Sequence, residues 1–137
     1  MRRLFPKVWI AAAVLAIAGA CGSDDSTSPT LGASGSWSLQ TINGAVLPVT
    51  IGSGLDAVTV LASNLTISSN GNYQEVVTLR PAGTTTNTTF TEVGTWSIVN
   101  GTVTFNDQTD GITYQGVVSG NTLTEITSGF TSVYARQ

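Results

Sequence analysis

Short stretches in which apolar and polar residues alternate fill the chain from residue 35 onward. The stretches TVTFND, ITYQGVV and TLTEIT are rich in Thr, β-branched and aromatic residues, which favour strands. Asn-Gly, Asp-Gly and Gly-Asn steps separate these stretches, and such steps supply the positive φ angles of tight hairpin turns. Because the turns recur regularly, the pattern predicts an antiparallel meander in which each strand pairs with its neighbour in sequence.

The same alternation predicts which side chains face the interior. The predicted inward residues are Trp37, Leu39, Thr41, Tyr73, Glu75, Val77, Leu79, Phe90, Glu92, Gly94, Trp96, Ile98, Val103, Phe105, Ile112, Tyr114, Gly116, Val118, Phe130, Ser132, Tyr134 and Arg136. The opposite positions are mostly Thr, Ser, Gln and Asn, as expected for a sheet with a solvated outer face. Closing such a sheet on itself removes its exposed edges, so we predict an all-β barrel of about eight strands.

The N-terminal segment has a different pattern. Arg2, Arg3 and Lys7 precede an uncharged apolar run from Val8 to Ala20, which is the layout of an export signal. The run is shorter than the roughly 20 apolar residues that a membrane-spanning helix needs. We therefore predict a cleaved signal peptide rather than a transmembrane anchor.

The chain's single cysteine, Cys21, directly follows the small-residue step at 18–20. Together these residues resemble the lipobox of bacterial lipoproteins. The resemblance implies that residues 1–20 are removed and that Cys21 carries diacylglycerol and an N-acyl chain such as palmitate. Gly22 after the cysteine implies a location on the outer membrane, facing the periplasm. The alternative is an ordinary signal peptide whose cleavage leaves a free thiol in an oxidising compartment.

The mature chain divides into a tether and one domain. Residues 21–34 contain almost no large apolar side chain and are predicted to be a flexible tether. Residues 35–137 are long enough for a single core. Once the signal is removed, Arg80 and Arg136 stand against 8 acidic residues. Such an acidic domain binds nucleic acid poorly and is repelled by anionic headgroups, so the lipid is expected to make the membrane contact.

Residues near both ends of the domain resemble lipocalins. GSW at 35–37 opens the first strand as the lipocalin G-x-W signature does, and Arg136 lies where lipocalins place an arginine across that tryptophan. The segment 94–136 is similar to small lipocalin-like domains of bacterial lipoproteins. The resemblance implies an eight-stranded up-and-down barrel, open at one end, with an apolar interior for a small hydrophobic molecule. Since a guanidinium on an indole face contributes roughly 0.5–2 kcal/mol, we predict that Trp37 and Arg136 form a structural pair that closes one end.

The composition excludes several kinds of chemistry. The chain has no histidine, and its only lysine lies in the signal, so histidine-based triads and serine–lysine dyads are excluded. Zinc, copper and haem iron also lack their usual ligands. The stretch NDQTDG at 106–111 is similar to a calcium loop, but Asn106 stands first and Val117 occupies the place of the bidentate glutamate. We interpret it as a hairpin turn and predict no metal and no cofactor.

Three acidic residues, Glu75, Glu92 and Glu125, fall in phase with the inward apolar side chains. Paired carboxylates act as acid and base in glycoside cleavage, so a hydrolase using Glu75 and Glu92 is one hypothesis. Alternatively, these carboxylates orient the polar head of a ligand or lie in water at the barrel mouth, or a bulge near Gly94 or Glu125 turns them outward. We predict no catalytic residue.

The leading functional prediction is a lipid-anchored, non-enzymatic envelope protein that binds a small hydrophobic or amphipathic molecule inside its barrel. The candidate ligand-binding residues are Trp37, Tyr73, Glu75, Phe90, Glu92, Trp96, Phe105, Tyr114 and Tyr134. The alternative is a filled barrel that binds protein, as a protease inhibitor or a component of an envelope assembly. An eight-stranded barrel has room for its own side chains or for one small ligand, and the many aromatic residues favour the filled interior.

Overall fold

The computed structural model describes residues 32–137, which form ten strands. The predicted signal peptide, most of the predicted tether and Cys21 lie outside the described residues. The strands are β1 (Gly35–Ile42), β2 (Ala45–Val46), β3 (Val49–Ile51), β4 (Val58–Ile67), β5 (Asn72–Pro81), β6 (Thr88–Val99), β7 (Thr102–Asp107), β8 (Thr113–Ser119), β9 (Thr122–Thr127) and β10 (Phe130–Arg136). A short 3-10 turn, Gly54–Asp56, precedes β4. Within this range there is no apolar helix long enough to cross a bilayer.

Eight of these strands form a closed antiparallel barrel. Strands β4 to β10 each pair with the next strand in sequence, and β1 pairs with both β10 and β4. The closing contact joins residues 35–38 of β1 to residues 64–67 of β4. Outside this ring, the short strand β2 pairs with β1, and the short strand β3 pairs with β4. The predicted all-β, up-and-down barrel of about eight strands is therefore confirmed.

Tight turns with positive φ angles join the neighbouring strands. Asn43, Asn100 and Ser128 have φ angles of 50°, 51° and 49°, and each precedes a glycine whose φ angle is also positive. Two successive residues with positive φ define the type I′ geometry, whose twist matches that of the flanking strands. The turn residues in the sequence thus select direct hairpins and fix the meander.

A bulge in β1 corrects one predicted inward residue. The pairing of β1 with β10 shifts register between Leu39 and Thr41. A bulge inserts one extra residue and so reverses which side chains point inward after it. As a result Ile42 is buried in the core, and the prediction that Thr41 faces inward is wrong.

Two further residues that were predicted to face inward lie exposed at strand ends. Ile112 precedes the first residue of β8 and is 42% exposed. Phe130 has the inward phase of β10, but it is the first residue of that strand and is 36% exposed. Alternation predicts the side of a strand on which a residue lies, whereas burial also requires side chains of other strands at the same level along the barrel.

Side chains fill the middle of the barrel. The largest fully buried ones are Trp37, Phe105, Leu65, Ile67, Leu123 and Val103. The Phe105 ring lies between two tyrosines, with its centroid 5.1 Å from that of Tyr73 and 5.0 Å from that of Tyr114. At Gly94 an added Cβ would come within 2.7 Å of the Tyr73 ring and 2.2 Å of the Asn106 carbonyl oxygen. Only glycine allows this approach of β6 to its neighbours.

Candidate functional site

One end of the barrel is closed by an arginine stacked on a tryptophan. The guanidinium carbon of Arg136 lies 4.2 Å from the Trp37 ring, and the two residues are directly opposite on β10 and β1. Arg136 donates through Nη1 to the Ser34 carbonyl (2.7 Å) and through Nη2 to the Gly32 carbonyl (3.0 Å). Trp37 Nε1 donates to the Ala33 carbonyl (2.8 Å). Residues 32–34, at the C-terminal end of the predicted tether, thus contribute acceptors to this end.

A buried carboxyl group occupies the middle of the barrel. The alternation of β5 turns Glu75 inward, where it is 6% exposed. Its Oε1 accepts hydrogen bonds from the Ser63 hydroxyl and from the Tyr134 hydroxyl, the latter at 2.7 Å. Burial raises the pKa of Glu75, because a charged carboxylate loses its hydration there, and the two hydrogen bonds oppose that rise only in part.

Glu125 on β9 is a second buried carboxyl group, 4% exposed. Its neighbour on β8 is Gly116, where an added Cβ would come within 3.1 Å of Glu125 Cγ, so the glycine makes room for the side chain. Glu125 Oε1 has no hydrogen-bond partner among the described residues. Burial, reinforced by the charge of Glu75, raises the pKa of Glu125 well above its usual range. Inside the barrel the protonated form of Glu125 is therefore favoured over the ionised form.

Three further carboxyl groups meet where β7 leads into the loop at 108–112. Each of Glu92, Asp107 and Asp110 places one carboxylate oxygen within 4.8 Å of the others. Glu92 comes from β6, while Asp107 ends β7 opposite Gly94. Burial, followed by the charges of Glu75, Asp107 and Asp110, raises the pKa of Glu92 to about 8. We refer to Glu92, Asp107 and Asp110 as the acidic triad.

Two tyrosines line the space between these groups. The Tyr114 hydroxyl donates to the Tyr73 hydroxyl over 3.4 Å, which is long for a hydrogen bond between hydroxyl groups. Burial raises the pKa of Tyr73 and of Tyr114, because an ionised phenolate loses its hydration there. The charges of nearby carboxyl groups raise both pKa values further. Both tyrosines therefore stay protonated and neutral.

The nine predicted ligand-binding residues lie in different parts of the barrel. Trp37 lies at the closed end, while the rings of Tyr73, Phe105 and Tyr114 pack together in the core, with Tyr73 edge-on to Phe105 and Tyr114 stacked on it. Trp96 is half-buried and donates through Nε1 to the Ser68 carbonyl (2.8 Å). The remaining four are the buried Glu75 and Tyr134 and the half-buried Phe90 and Glu92.

Sequence reasoning missed two polar side chains that belong to these clusters. Asp107 is in phase with Val103 and Phe105 on β7, so the alternation could have identified it. Ser63 carried no such signal, since β4 shifts register between Val60 and Ala62. Only the structure shows that the Ser63 hydroxyl reaches Glu75.

The geometry around Glu75 and Glu92 does not suit glycoside cleavage. The two residues are direct cross-strand neighbours on β5 and β6. However, Glu75 Oε1 is occupied by two protein donors, and the side chain has almost no solvent exposure. The alternative of a bulge near Gly94 or Glu125 is wrong, because the pairings of β6 and β9 run through those residues without a register shift. Nor do Glu75 and Glu125 lie in water, since both are buried.

The structure also contains a cleft of about 360 Å³. Its lining residues are Thr66, Ser68, Asn72, Tyr73, Gln74, Val93, Gly94 and Gln108. Thr66, Gln74 and Val93 are exposed and follow one another across β4, β5 and β6 on the side opposite the inward residues. The cleft is thus on the outer surface, and polar and apolar groups both line it.

The outer faces of β6 to β10 carry no charged residue. Most outward positions hold Thr, Ser or Gln, and four large apolar side chains among them are exposed: Val93 is 44% exposed, Val99 69%, Val117 53% and Ile126 64%. Val99, Thr102, Val117 and Thr124 form one row across four strands. We call the outward side of β6 to β9 the neutral face.

No protein-family model and no curated protein matches the chain. The resemblances to lipoproteins and lipocalins therefore remain predictions from the sequence. Function has to be argued from the geometry of the barrel.

Proposed function

We propose that the chain is a lipid-anchored protein of the bacterial cell envelope whose filled barrel binds a protein partner through its neutral face. Cys21 and the apolar run before it support the anchor. The proposal gives Glu75 and Glu92 no catalytic role, because Glu75 is buried and its Oε1 already accepts two hydrogen bonds from the protein. Nucleic acid is not the proposed partner either, since the domain is acidic.

The close packing of side chains inside the barrel is the observation on which this proposal rests. Small-molecule pockets enclose roughly 300–1,000 Å³ and surround most of their ligand. Here Trp37, Phe105 and Leu123 are fully buried, so their side chains occupy space inside the barrel. The cleft of about 360 Å³ lies on the outer surface, where polar and apolar groups both line it. Of the two functions predicted from the sequence, the protein-binding one therefore fits the geometry better than a ligand held in the interior.

The neutral face has the composition of a protein interface core. Such cores are depleted in charged residues, and pairing there does not require a charge to be desolvated. Val99, Val117 and Ile126 offer apolar area, while the neighbouring Thr side chains offer hydroxyl donors and acceptors.

Photocrosslinking in intact cells tests the partner. A photoreactive amino acid at Val117 samples the neutral face, and the same group at Asn64 on β4 is the control, because β4 lies four strands away from β8 in the barrel order. We expect one discrete product of higher mass from position 117, none from position 64, and loss of the product when Ile126→Lys adds a charge to the face. Identical products from both positions, a product containing only two copies of this chain, or no product would contradict the proposal.

Mass spectrometry of the exported protein tests the anchor separately. We expect a Cys21 N-terminus with added diacylglycerol and acyl mass, and release of the Cys21→Ser variant from the membrane fraction, because each buried methylene contributes about 0.8 kcal/mol to anchoring. An exported product with an unmodified Cys21 thiol would contradict the anchor and leave the test of the neutral face unaffected.

One observation favours a second candidate, a small amphipathic molecule at the end of the barrel opposite Trp37. Val77 and Phe90 are half-buried cross-strand neighbours there, one step beyond Glu75 and Glu92. Displacement of a fluorescent fatty acid by unlabelled fatty acid tests this candidate. We expect weaker dye binding by Phe90→Ala and unchanged binding by Val99→Ala. Absence of saturable dye binding by the parent would exclude it.

A further inference from the structure

The acidic triad brings three carboxyl groups from different parts of the chain to one place. In hairpin β6–β7, Gly94 pairs with Asp107. Glu92 lies two residues before Gly94 on the same side of β6, so the hairpin places its side chain next to that of Asp107. Gln108 donates its backbone N–H to the Val93 carbonyl (3.0 Å), and Val93 donates its own to the Thr109 hydroxyl (3.0 Å). These bonds hold the loop against β6 and thereby keep Asp110 close to Glu92.

Asp107 has an oxygen that the protein leaves without a partner. The side chain is 4% exposed, and its Oδ1 accepts a hydrogen bond from the Thr109 backbone N–H (2.7 Å). Its Oδ2 is buried and has no hydrogen-bond partner among the described residues. Buried polar atoms in native proteins nearly always have a partner, since leaving one without a partner is costly. A bound ligand would supply that missing partner.

The described part of the chain does not supply a cation to the triad. Its positively charged side chains are Arg80 and Arg136. Arg136 stacks on Trp37 and donates to the Ser34 and Gly32 carbonyls. Arg80 donates through Nε to the side chain of Asn87 (3.1 Å). The described part of the chain therefore places no positive charge beside the three clustered carboxyl groups.

We propose that Glu92, Asp107 and Asp110 bind a calcium ion. Calcium prefers carboxylate and carbonyl oxygens at about 2.3–2.6 Å, so two of its ligands on opposite sides lie up to about 5 Å apart. Oxygens within 4.8 Å of one another therefore need only a small shift to contact one such ion together. The loop at 108–112 and water would complete the six to eight oxygens that calcium takes. Asp110 is exposed, which gives the ion a path into the site.

Calcium fits this arrangement better than magnesium does. Magnesium demands near-ideal octahedral geometry at about 2.0–2.1 Å and usually keeps several waters, whereas calcium tolerates irregular sets of ligands. The triad is irregular, because a strand, a strand end and a loop each contribute one carboxylate. The proposal departs from the interpretation of residues 106–111 as a hairpin turn alone. That stretch does connect β7 to β8, but a residue of β6 completes the site.

Titration of the full chain in detergent tests the site. The probes are Ca²⁺ followed by calorimetry and Tb³⁺ followed by its luminescence, which nearby aromatic side chains sensitise on excitation at their absorption band. Sites of this kind outside cells bind calcium with Kd values of about 0.1–1 mM, and we expect a value in that range. We also expect calcium to raise the midpoint of thermal unfolding, because a ligand that binds only the folded state stabilises it.

Two substitutions make the test specific. Asp110→Asn changes an exposed side chain and should weaken Ca²⁺ and Tb³⁺ binding at least tenfold without altering the fold. Asp56→Asn, also at an exposed aspartate but in the 3-10 turn before β4, is the matched control and should bind as the parent does. Asp107→Asn is the second variant and should abolish the calcium-dependent rise in the unfolding midpoint.

Three results would overturn the proposal. The first is no saturable binding of Ca²⁺ or Tb³⁺ up to about 10 mM, well above the expected Kd. The second is equal affinity of the parent and Asp110→Asn, which would place any bound ion elsewhere. The third is equal affinity of the parent for Mg²⁺ and Ca²⁺, which would remove the assignment to calcium.

Discussion

The two ends of the barrel bury charged groups in different ways. At one end Arg136 is stacked on Trp37, and its two terminal nitrogens donate to the backbone carbonyls of Ser34 and Gly32. Toward the other end, several carboxyl groups lie inside the barrel, and one oxygen each of Glu125 and Asp107 has no hydrogen-bond partner among the described residues. The guanidinium is stabilised by the Trp37 ring and by two backbone carbonyls, although its Nε is also buried without a partner among the described residues, whereas the carboxyl groups depend on protons or ions from solution.

This difference separates what holds the fold from what responds to its surroundings. The arginine end is held by ring stacking and by hydrogen bonds to backbone carbonyls, which do not ionise. A buried carboxyl group changes its charge with pH, and a tenfold difference in its proton affinity between the folded and unfolded chain corresponds to roughly 1.4 kcal/mol. We therefore expect the largest mutational losses at the arginine end and the strongest dependence on solution conditions at the carboxyl end.

The largest expected effect is that of Trp37→Ala. Replacing a fully buried tryptophan by alanine typically costs about 3–5 kcal/mol of unfolding free energy, because the cavity is only partly refilled. The matched control is Phe90→Ala at the opposite end, where the ring is half-buried, and its loss should be less than half as large. Urea denaturation measures both. Equal losses would show that the two ends contribute alike to stability.

The second effect is a loss of stability as pH rises. Glu125 holds its proton more tightly when the chain is folded than when it is unfolded, because its folded pKa is raised. Unfolding therefore releases a proton above the unfolded pKa of about 4.5, and the unfolding free energy falls by up to about 1.4 kcal/mol per pH unit until the folded pKa is reached. Glu75 and Glu92, whose pKa values are also raised, add to this slope.

Glu125→Gln isolates the contribution of that residue. The amide keeps the shape of the side chain and does not ionise, so the variant should match the parent near pH 4.5 and exceed it in stability at pH 7. Its slope with pH should be reduced but not abolished, since Glu75 and Glu92 remain. Asp56→Asn, at an exposed position, should leave the slope unchanged. A parent whose stability increases between pH 5 and pH 8 would contradict the assignment of a neutral buried acid.

A smaller effect is expected for Arg136→Lys. Lysine keeps the charge but loses the planar stacking on Trp37 and the geometry that reaches two carbonyls at once, so we expect a loss of about 1–2 kcal/mol, independent of pH between 5 and 8. Denaturation at both pH values measures it. A loss that varied with pH would show that this end is coupled to the carboxyl groups.

The smallest effect is that of Tyr134→Phe, which removes one of the two donors to Glu75. A buried hydrogen bond of this kind contributes roughly 1 kcal/mol. Tyr114→Phe is the control, because its hydroxyl lies 3.4 Å from that of Tyr73, and it should cost less. If both substitutions cost the same, the 2.7 Å contact of Tyr134 has no special weight in holding Glu75.

The sequence was sufficient to predict the barrel, because the alternation of β5 to β9 and the Asn-Gly turns are both local signals. It also placed Glu75 and Glu92 on inward faces and brought Trp37 together with Arg136. These local signals do not predict how deeply a residue is buried or where the register shifts. Phe130 has the inward phase but is exposed at the start of β10, and the bulge after Leu39 turns Ile42 into the core.

The polar clusters could be predicted only in part, since they join distant residues. Ser63 and Tyr134 meet at Glu75 from three different strands, and Ser63 follows a register shift that its own sequence does not signal. A search for a calcium loop within residues 106–111 considers consecutive residues alone. Glu92, which lies on the preceding strand, becomes visible as a neighbour only when β6 and β7 pair.

Closure between β1 and β10 has a consequence for the order of folding. Arg136 donates to Ser34, a residue 102 positions earlier in the chain, so the ring of strands is completed only after β10 has been synthesised. Contacts between such distant residues form slowly, because a long loop must close before any stabilisation is gained. A chain that lacks the seven residues of β10 would keep two strand edges open and leave Trp37 uncovered, which would favour aggregation.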